Sequence, residues 1–156
     1  MKPETFAKRF PELSSSLAPD DLEAVIGAFE LHDADAGEAL VAEGTTTDEL
    51  FLVWDGELAI TMSGPAGVRP LAGVAPGSYF GEASLLDPGP AEASVVSEQG
   101  CVALRMSRAR FDAICDSNPR AARSWCCNGV SRAACSATTH SCSAPRARAR
   151  SGNGRR

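Results

Sequence analysis

From about residue 37 onward, apolar residues alternate with polar or small ones, which is the pattern of β-strands. The segment ELFLVWDGELAITM (residues 49–62) shows this alternation on both sides of the pair Asp55-Gly56. A period of two places every second side chain on the same face of a strand. Because Asp-Gly between two alternating segments is a strong hairpin signal, we expect a tight turn at Asp55-Gly56.

Further alternating segments follow a second expected turn at SGPAGVRP (residues 63–70). They are PLAGVAPG (70–77) and ASVVSEQGCVALRMS (93–107), and glycines separate the segments at positions 37, 44, 56, 64, 67, 73, 77 and 81. Short strands at this spacing predict an antiparallel sandwich or barrel of about eight strands.

Helical spacing flanks the strands on both sides. The expected helices are an N-terminal pair divided by Pro11, one starting at Pro19, a single turn near residues 84–86, and one from Ser107 to Pro119. Proline and Ser are typical of helix starts, and proline also ends helices. The predicted fold class is therefore mainly β with flanking helices, an α+β jelly roll or double-stranded β-helix.

Charge and hydropathy exclude several classes of function. The net charge is −5, and residues 1–116 carry all 20 acidic residues but only seven of the 15 basic ones. An acidic body of this kind is not expected to bind nucleic acid specifically. The sequence has no apolar segment of about 18 residues and no apolar secretory core at its N-terminus, so we expect a cytoplasmic protein without a membrane span.

Histidine placement argues against an enzyme. Cupins share the double-stranded β-helix but hold a metal with clustered histidines. This chain has two histidines, His32 and His140, far apart in the sequence. Neither belongs to a credible catalytic triad, so we expect no catalytic residues and no metal site.

The order of elements and four sequence segments resemble the cyclic nucleotide-binding domain family, which includes the catabolite activator protein and the regulatory subunit of cyclic-AMP-dependent protein kinase. The segments are DAGEALVAEGTTTDELFLVWDGELAI, GSYFGEASLL, PAEASVV and CVALRMSRARFDAICDSNP. The most specific is GSYFGEASLL, which resembles the start of the family's phosphate-binding cassette. We use "the cassette" below for residues 79–96.

The resemblance implies a set of nucleotide-binding positions in the cassette. Gly81 would allow close approach, Glu82 would accept a hydrogen bond from the ribose 2′-hydroxyl, and the amides of Ala83 and Ser84 would face the phosphate. Exposed N–H groups at a helix start favour an anion. The full implied set is Phe80, Gly81, Glu82, Ala83, Ser84, Ala91, Glu92 and Ala93.

One position departs from the family pattern, Pro-Arg-x-Ala-Ser/Thr-Val. Here the segment is PAEASV (residues 90–95), so Ala91 stands where the family has a phosphate-pairing arginine. Hydrogen bonds to charged groups are worth about 1.5–3 kcal/mol, and an inward-pointing Glu92 would add repulsion. We therefore expect a domain that keeps the fold and has weakened or lost its usual ligand, cyclic AMP or cyclic GMP.

Two functions are compatible with these residues. The first is a regulatory cyclic nucleotide-sensing module, in which case a protein partner or a homodimer would receive the signal. The second is a protein-interaction domain with the same fold that binds no nucleotide. The retained Phe80-Gly81-Glu82 favours the first, and Ala91 favours the second.

The C-terminal residues differ from the body. We expect the domain to span residues 1–119, followed by a basic tail over 120–156 that carries eight arginines and no acidic residue. The tail is interpreted as disordered or as the product of a frameshift after about Arg123. Its Cys126, Cys127, Cys135, His140 and Cys142 are zinc-ligand types, but they lack a Cys-x-x-Cys spacing.

Overall fold

The computed structural model describes residues 1–125 of the chain, and these residues form six helices and eight strands. The helices are α1 (Pro3–Arg9), α2 (Pro11–Ser14), α3 (Pro19–Gly27), α4 (Glu82–Leu86), α5 (Arg108–Ser117) and α6 (Pro119–Trp125). The strands are β1 (Glu30–Ala34), β2 (Ala39–Val41), β3 (Thr46–Thr47), β4 (Glu49–Gly64), β5 (Gly67–Val74), β6 (Tyr79–Phe80), β7 (Gly89–Pro90) and β8 (Ser94–Ser107).

Two long strands organise the sheet. The order is β1-β8-β4-β5, with β2 also paired to β8 and β6 paired to β4, while β3 and β7 form a separate two-stranded ladder. Every pairing is antiparallel. The predicted fold class, mainly β with flanking helices, is confirmed.

The predicted hairpin at Asp55-Gly56 is wrong. Strand β4 runs through this pair without turning, and its register against β8 shifts on both sides of it. Gly56 has a φ of 84°, and a Cβ there would lie 2.5 Å from the carbonyl oxygen of Gly100. The Asp-Gly signal therefore marks a β-bulge, which also uses a left-handed glycine. The hairpin forms instead at Gly64 and Gly67, inside the second predicted turn.

Two buried clusters lie on opposite faces of β4, as its period of two requires. Leu50 and Leu52 belong to the first cluster, whereas Phe51 and Val53 belong to the second. We call the first the helix-side core: Phe6, Phe10, Leu13, Leu22, Val25, Ile26, Leu50, Leu52, Leu85, Leu104, Met106, Phe111, Ile114, Ala121, Ala122 and Trp125. We call the second the roll interior: Ala34, Val41, Phe51, Val53, Leu58, Val74, Val95, Cys101 and Ala103.

The N-terminal helices follow the sequence closely. Helix α1 ends before Pro11, which starts α2, and Pro19 starts α3, so each of the three begins with proline at its first position. Proline suits that position because its missing N–H would have no partner within the helix. Phe6 and Phe10 are buried in the helix-side core, with their ring centroids 5.1 Å apart.

The packed chain extends beyond the expected boundary at residue 119. Residues 119–125 form α6, and Ala121, Ala122 and Trp125 are fully buried in the helix-side core. Two alanines and a tryptophan make a narrow apolar face without the large aliphatic residues that usually mark one. Disorder was expected from residue 120, but residues 120–125 are helical. The rest of the expected tail, with most of the proposed frameshifted segment and all of the zinc-ligand types, lies at 126–156, outside the described residues.

Candidate functional site

Strand β6 fixes the start of the cassette against β4. Tyr79 pairs with Leu52, and Phe80 pairs with Phe51. The rings of Phe51 and Phe80 are stacked, with centroids 5.1 Å apart and an interplanar angle of 10°. Phe51 is buried in the roll interior, so this stack anchors the strand immediately before Gly81.

Gly81 lets the chain turn from β6 into α4. Its φ is 87°, and a Cβ there would lie 2.3 Å from the carbonyl oxygen of Glu49. Only glycine adopts this backbone conformation without cost and leaves room for that carbonyl. The close approach therefore places the first turn of α4 against the beginning of β4.

The first turn of α4 presents main-chain donors. The earliest hydrogen bond to close within this turn is from the Leu85 amide to the Gly81 carbonyl, at 2.9 Å. The amides of Glu82, Ala83 and Ser84 precede it, and N–H groups at a helix start have no acceptor within the helix. Ala83 is exposed, while Glu82 and Ser84 are half-buried. None of the four implied positions from Gly81 to Ser84 is buried.

The Glu82 carboxylate lies near a phenol that stays neutral. Burial raises the pKa of Tyr79, and the negative charges of Glu12 and Glu82 raise it further. Tyr79 is therefore a neutral phenol at this end of the cassette.

Ala91 is held in place by its backbone. Its amide donates to the Thr45 carbonyl at 2.9 Å, and its own carbonyl accepts from the Gly44 amide at 2.8 Å. The side chain is half-buried and packs against the roll interior. The position that carries arginine in the family pattern is therefore well defined here and carries a methyl group.

The other implied residues of this segment differ in exposure. Glu92 is exposed and Ala93 is half-buried. Ser94 accepts a hydrogen bond at its Oγ from the Glu43 amide, at 2.9 Å. The predicted repulsion from Glu92 required an inward side chain, and its exposure leaves the missing arginine as the main change.

Two arginines that are distant from residue 91 in the sequence, Arg69 and Arg105, could replace the missing one only through the fold. Arg105 pairs with Glu30 at 3.4 Å and with Glu49 at 3.8 Å. Arg69 is exposed on β5, opposite Met62. Arg105 is thus already engaged with two carboxylates near the helices.

Sequence reasoning missed one cation that contacts the cassette. Arg108, the first residue of α5, donates from Nη1 to the Leu85 carbonyl at 3.0 Å. The two residues are 23 positions apart, and no local pattern links them. The N-cap prediction for Ser107 identified the start of this helix, although no side-chain capping hydrogen bond forms there.

Residues 1–125 offer no metal cluster and no helical membrane span. This part of the chain contains no group of three or more His, Cys, Asp or Glu residues arranged to hold a metal ion. It also contains no helix long and apolar enough to cross a membrane. Cys101 is buried, and that burial raises the pKa of its thiol.

A β-roll between helices, with a short helix after a Gly-Glu pair, defines the architecture of a cyclic nucleotide-binding domain. The model of the family described as "Cyclic nucleotide-binding domain" matches residues 31–118. The chain belongs to this family.

Relatives and solved structures place the chain within the family. It is 32% identical over 108 residues to the cAMP-dependent protein kinase regulatory subunit of Aspergillus niger, covering 69% of this chain and 26% of that protein. The regulatory domain of Toxoplasma gondii PKA, crystallised with cAMP, superposes with a TM-score of 0.64 at 32% identity, covering 72% of this chain and 44% of that one.

A third likeness bears on the fold alone. The N-terminal domain of a transcriptional regulator from Streptomyces coelicolor superposes with a TM-score of 0.69 at 24% identity, covering 75% of this chain and 82% of that one. The chain spans about a quarter of the length of the kinase regulatory subunit that it matches.

Proposed function

We propose that this chain is a regulatory module that binds cyclic AMP or cyclic GMP at the cassette, with an affinity lowered by the absence of arginine at residue 91. The observation that carries the proposal is the geometry at Gly81. The left-handed glycine is pressed against Glu49, and it begins a helix whose first amides have no acceptor within the helix. Main-chain N–H groups in such a turn suit a phosphate anion.

Each of the implied residues has a distinct role in this proposal. The Glu82 carboxylate accepts a hydrogen bond from the ribose 2′-hydroxyl, and a bond to a charged acceptor is stronger than a neutral one. The amides of Ala83 and Ser84 donate to the phosphate. Phe80 and Gly81 set the position of this turn. Residues 91–93 form the opposite side of the proposed nucleotide site.

The missing arginine sets the expected affinity. Arginine offers a permanent charge and a planar set of donors to a phosphate. A bond to a charged group contributes about 1.5–3 kcal/mol, which corresponds to a loss of roughly 10- to 150-fold in affinity. The domain would therefore respond to higher nucleotide concentrations than a relative that has the arginine.

The output of such a module is a change in the arrangement of its helices. A ligand that binds one arrangement of the helices better than another shifts the balance between them. Helices α5 and α6 follow the roll directly and are the elements that would carry the signal to a partner protein or to a second copy. We propose a cytoplasmic protein with no catalytic step of its own.

The second candidate is a protein-interaction domain that binds no nucleotide. One observation favours it: the Ala91 methyl packs against the roll interior, where the arginine of the family pattern would extend towards a phosphate. In that case the cassette is retained because it supports the fold.

Calorimetric titration with cyclic AMP and with cyclic GMP distinguishes the two candidates. We expect saturable binding that weakens about tenfold in Glu82→Gln, because the charged acceptor is lost. Glu57→Gln is the matched control, since Glu57 is an exposed carboxylate on β4 outside the cassette. Absence of binding by the unmodified chain would support the protein-interaction candidate instead.

A further inference from the structure

Helix α4 is held at its beginning by the start of β4 and at its end by the start of α5. At its beginning, Gly81 is pressed against the Glu49 carbonyl. At its end, the Leu85 carbonyl accepts a hydrogen bond from Nη1 of Arg108, at 3.0 Å. The last carbonyls of a helix have no donor within it, so a cation placed there satisfies them and opposes the helix dipole.

Arg108 is itself oriented from two directions. Its Nε donates to Asp112 Oδ1 at 2.9 Å, one turn further along α5. Its main-chain amide donates to the Asp48 carbonyl at 2.9 Å, next to the residue that Gly81 contacts. The backbone of Arg108 is therefore fixed next to the start of β4, and its guanidinium is oriented by Asp112 of α5.

A shared core makes this contact a direct link between α4 and α5. Leu85 is fully buried in the helix-side core, which also contains Phe111 and Ile114 of α5. The bond from Arg108 therefore fixes the end of α4 relative to α5, while Gly81 fixes its beginning against β4.

We infer that Arg108 is a positioning residue for the cassette: its bond to the Leu85 carbonyl, made from the start of α5, holds α4 in its binding geometry. The inference rests on the proposed function for its meaning, because the geometry it fixes is that of the proposed phosphate-binding turn. Lysine can supply one donor at this place, but it cannot bind Leu85 and Asp112 with the fixed geometry of a guanidinium.

The first test needs no nucleotide. Hydrogen exchange of the Leu85 and Asp87 amides, which bond to Gly81 and Ala83, is measured by NMR in the full chain. Arg108→Gln is expected to accelerate exchange at these two amides about tenfold, and Arg108→Lys is expected to accelerate it by a smaller factor. Arg110→Gln is the matched control, because Arg110 lies on the same helix and pairs with Glu30 instead. Equal effects of Arg108→Gln and Arg110→Gln on α4 would overturn the inference.

The second test measures binding in an Ala91→Arg background. In that background, Arg108→Gln is expected to lower the affinity for cyclic AMP about tenfold. Arg110→Gln is expected to leave the affinity unchanged, and the two variants should have comparable melting temperatures. Equal affinities for the two variants would also overturn the inference. If the Ala91→Arg background binds no cyclic nucleotide, the proposed function fails, and the exchange rates of α4 alone decide whether Arg108 positions this helix.

Discussion

The Cα of Gly81 lies so close to the Glu49 carbonyl that a Cβ at residue 81 would stand 2.3 Å from that oxygen. This contact joins the start of the cassette helix α4 to the start of the long central strand β4. The position of the proposed phosphate-binding turn therefore requires glycine at residue 81, because a side chain there would collide with the Glu49 carbonyl.

Gly81→Ala is expected to destabilise the domain and to displace α4. A left-handed conformation costs alanine about 1–2 kcal/mol, and overpacking adds typically about 1–3 kcal/mol. Gly37→Ala is the matched control, since Gly37 has a φ of 83° and open space around its Cα. Urea denaturation measures both variants. Equal losses of unfolding free energy in the two variants would contradict this prediction, because they would show that the backbone at Glu49 moves away from the new Cβ at little cost.

The burial of Trp125 predicts that the folded domain extends to residue 125. Trp125 is fully buried between Phe29, at a centroid distance of 6.0 Å, and Phe111, at 6.1 Å. Trp125→Ala should lower the unfolding free energy by about 3–5 kcal/mol, because a large cavity opens in the helix-side core. Arg123→Ala, at an exposed position of the same helix, should stay within about 0.5 kcal/mol of the parent. A Trp125→Ala variant as stable as Arg123→Ala would return the boundary to residue 119.

Asp21 joins α3 to the junction between α5 and α6. Asp21 is 4% exposed, and its carboxylate accepts from Asn118 Nδ2 at 2.7 Å and from Arg120 Nε at 3.1 Å. Asn118 in turn accepts at Oδ1 from the Ala121 amide, which caps α6. The Asn118 hydrogen bond, followed by that of Arg120, holds the pKa of Asp21 below its ordinary value.

The sign of this shift predicts a pH dependence. A carboxyl with a lowered pKa stabilises the fold fully above its ordinary pKa of about 3.9 and loses that contribution as the pH falls through the folded-state value. Asp21→Asn should therefore lower the melting temperature by several degrees at neutral pH, and the difference from the parent should shrink below about pH 4. Asp20→Asn, at the exposed neighbouring position, serves as control. A difference independent of pH down to the acid transition would contradict the assignment.

The sequence predicted elements whose signals are local. Proline marked the division between α1 and α2 and the start of α3, and alternation placed Leu50 and Phe51 on opposite faces of β4. The Asp55-Gly56 signal was misread because a tight turn and a bulge both use a left-handed glycine, and only the partner strand distinguishes them.

The unpredicted features depend on contacts between distant parts of the chain. Asp21 and Asn118 are 97 positions apart, and Arg108 meets Leu85 across 23 positions. Neither contact leaves a periodic pattern in the sequence. The cassette positions 80–84 and 91–93 came instead from a family resemblance, and their nucleotide-binding roles stay a prediction.

The most direct test of the whole account is calorimetric titration of the unmodified chain and of Ala91→Arg with cyclic AMP. The backbone of residue 91 is held by Thr45 and Gly44, so an arginine there would start from a defined position. We predict weak binding by the unmodified chain and binding roughly 10- to 150-fold tighter by the variant. Equal affinities would contradict the role assigned to residue 91, and absence of binding by both would contradict nucleotide sensing by this cassette.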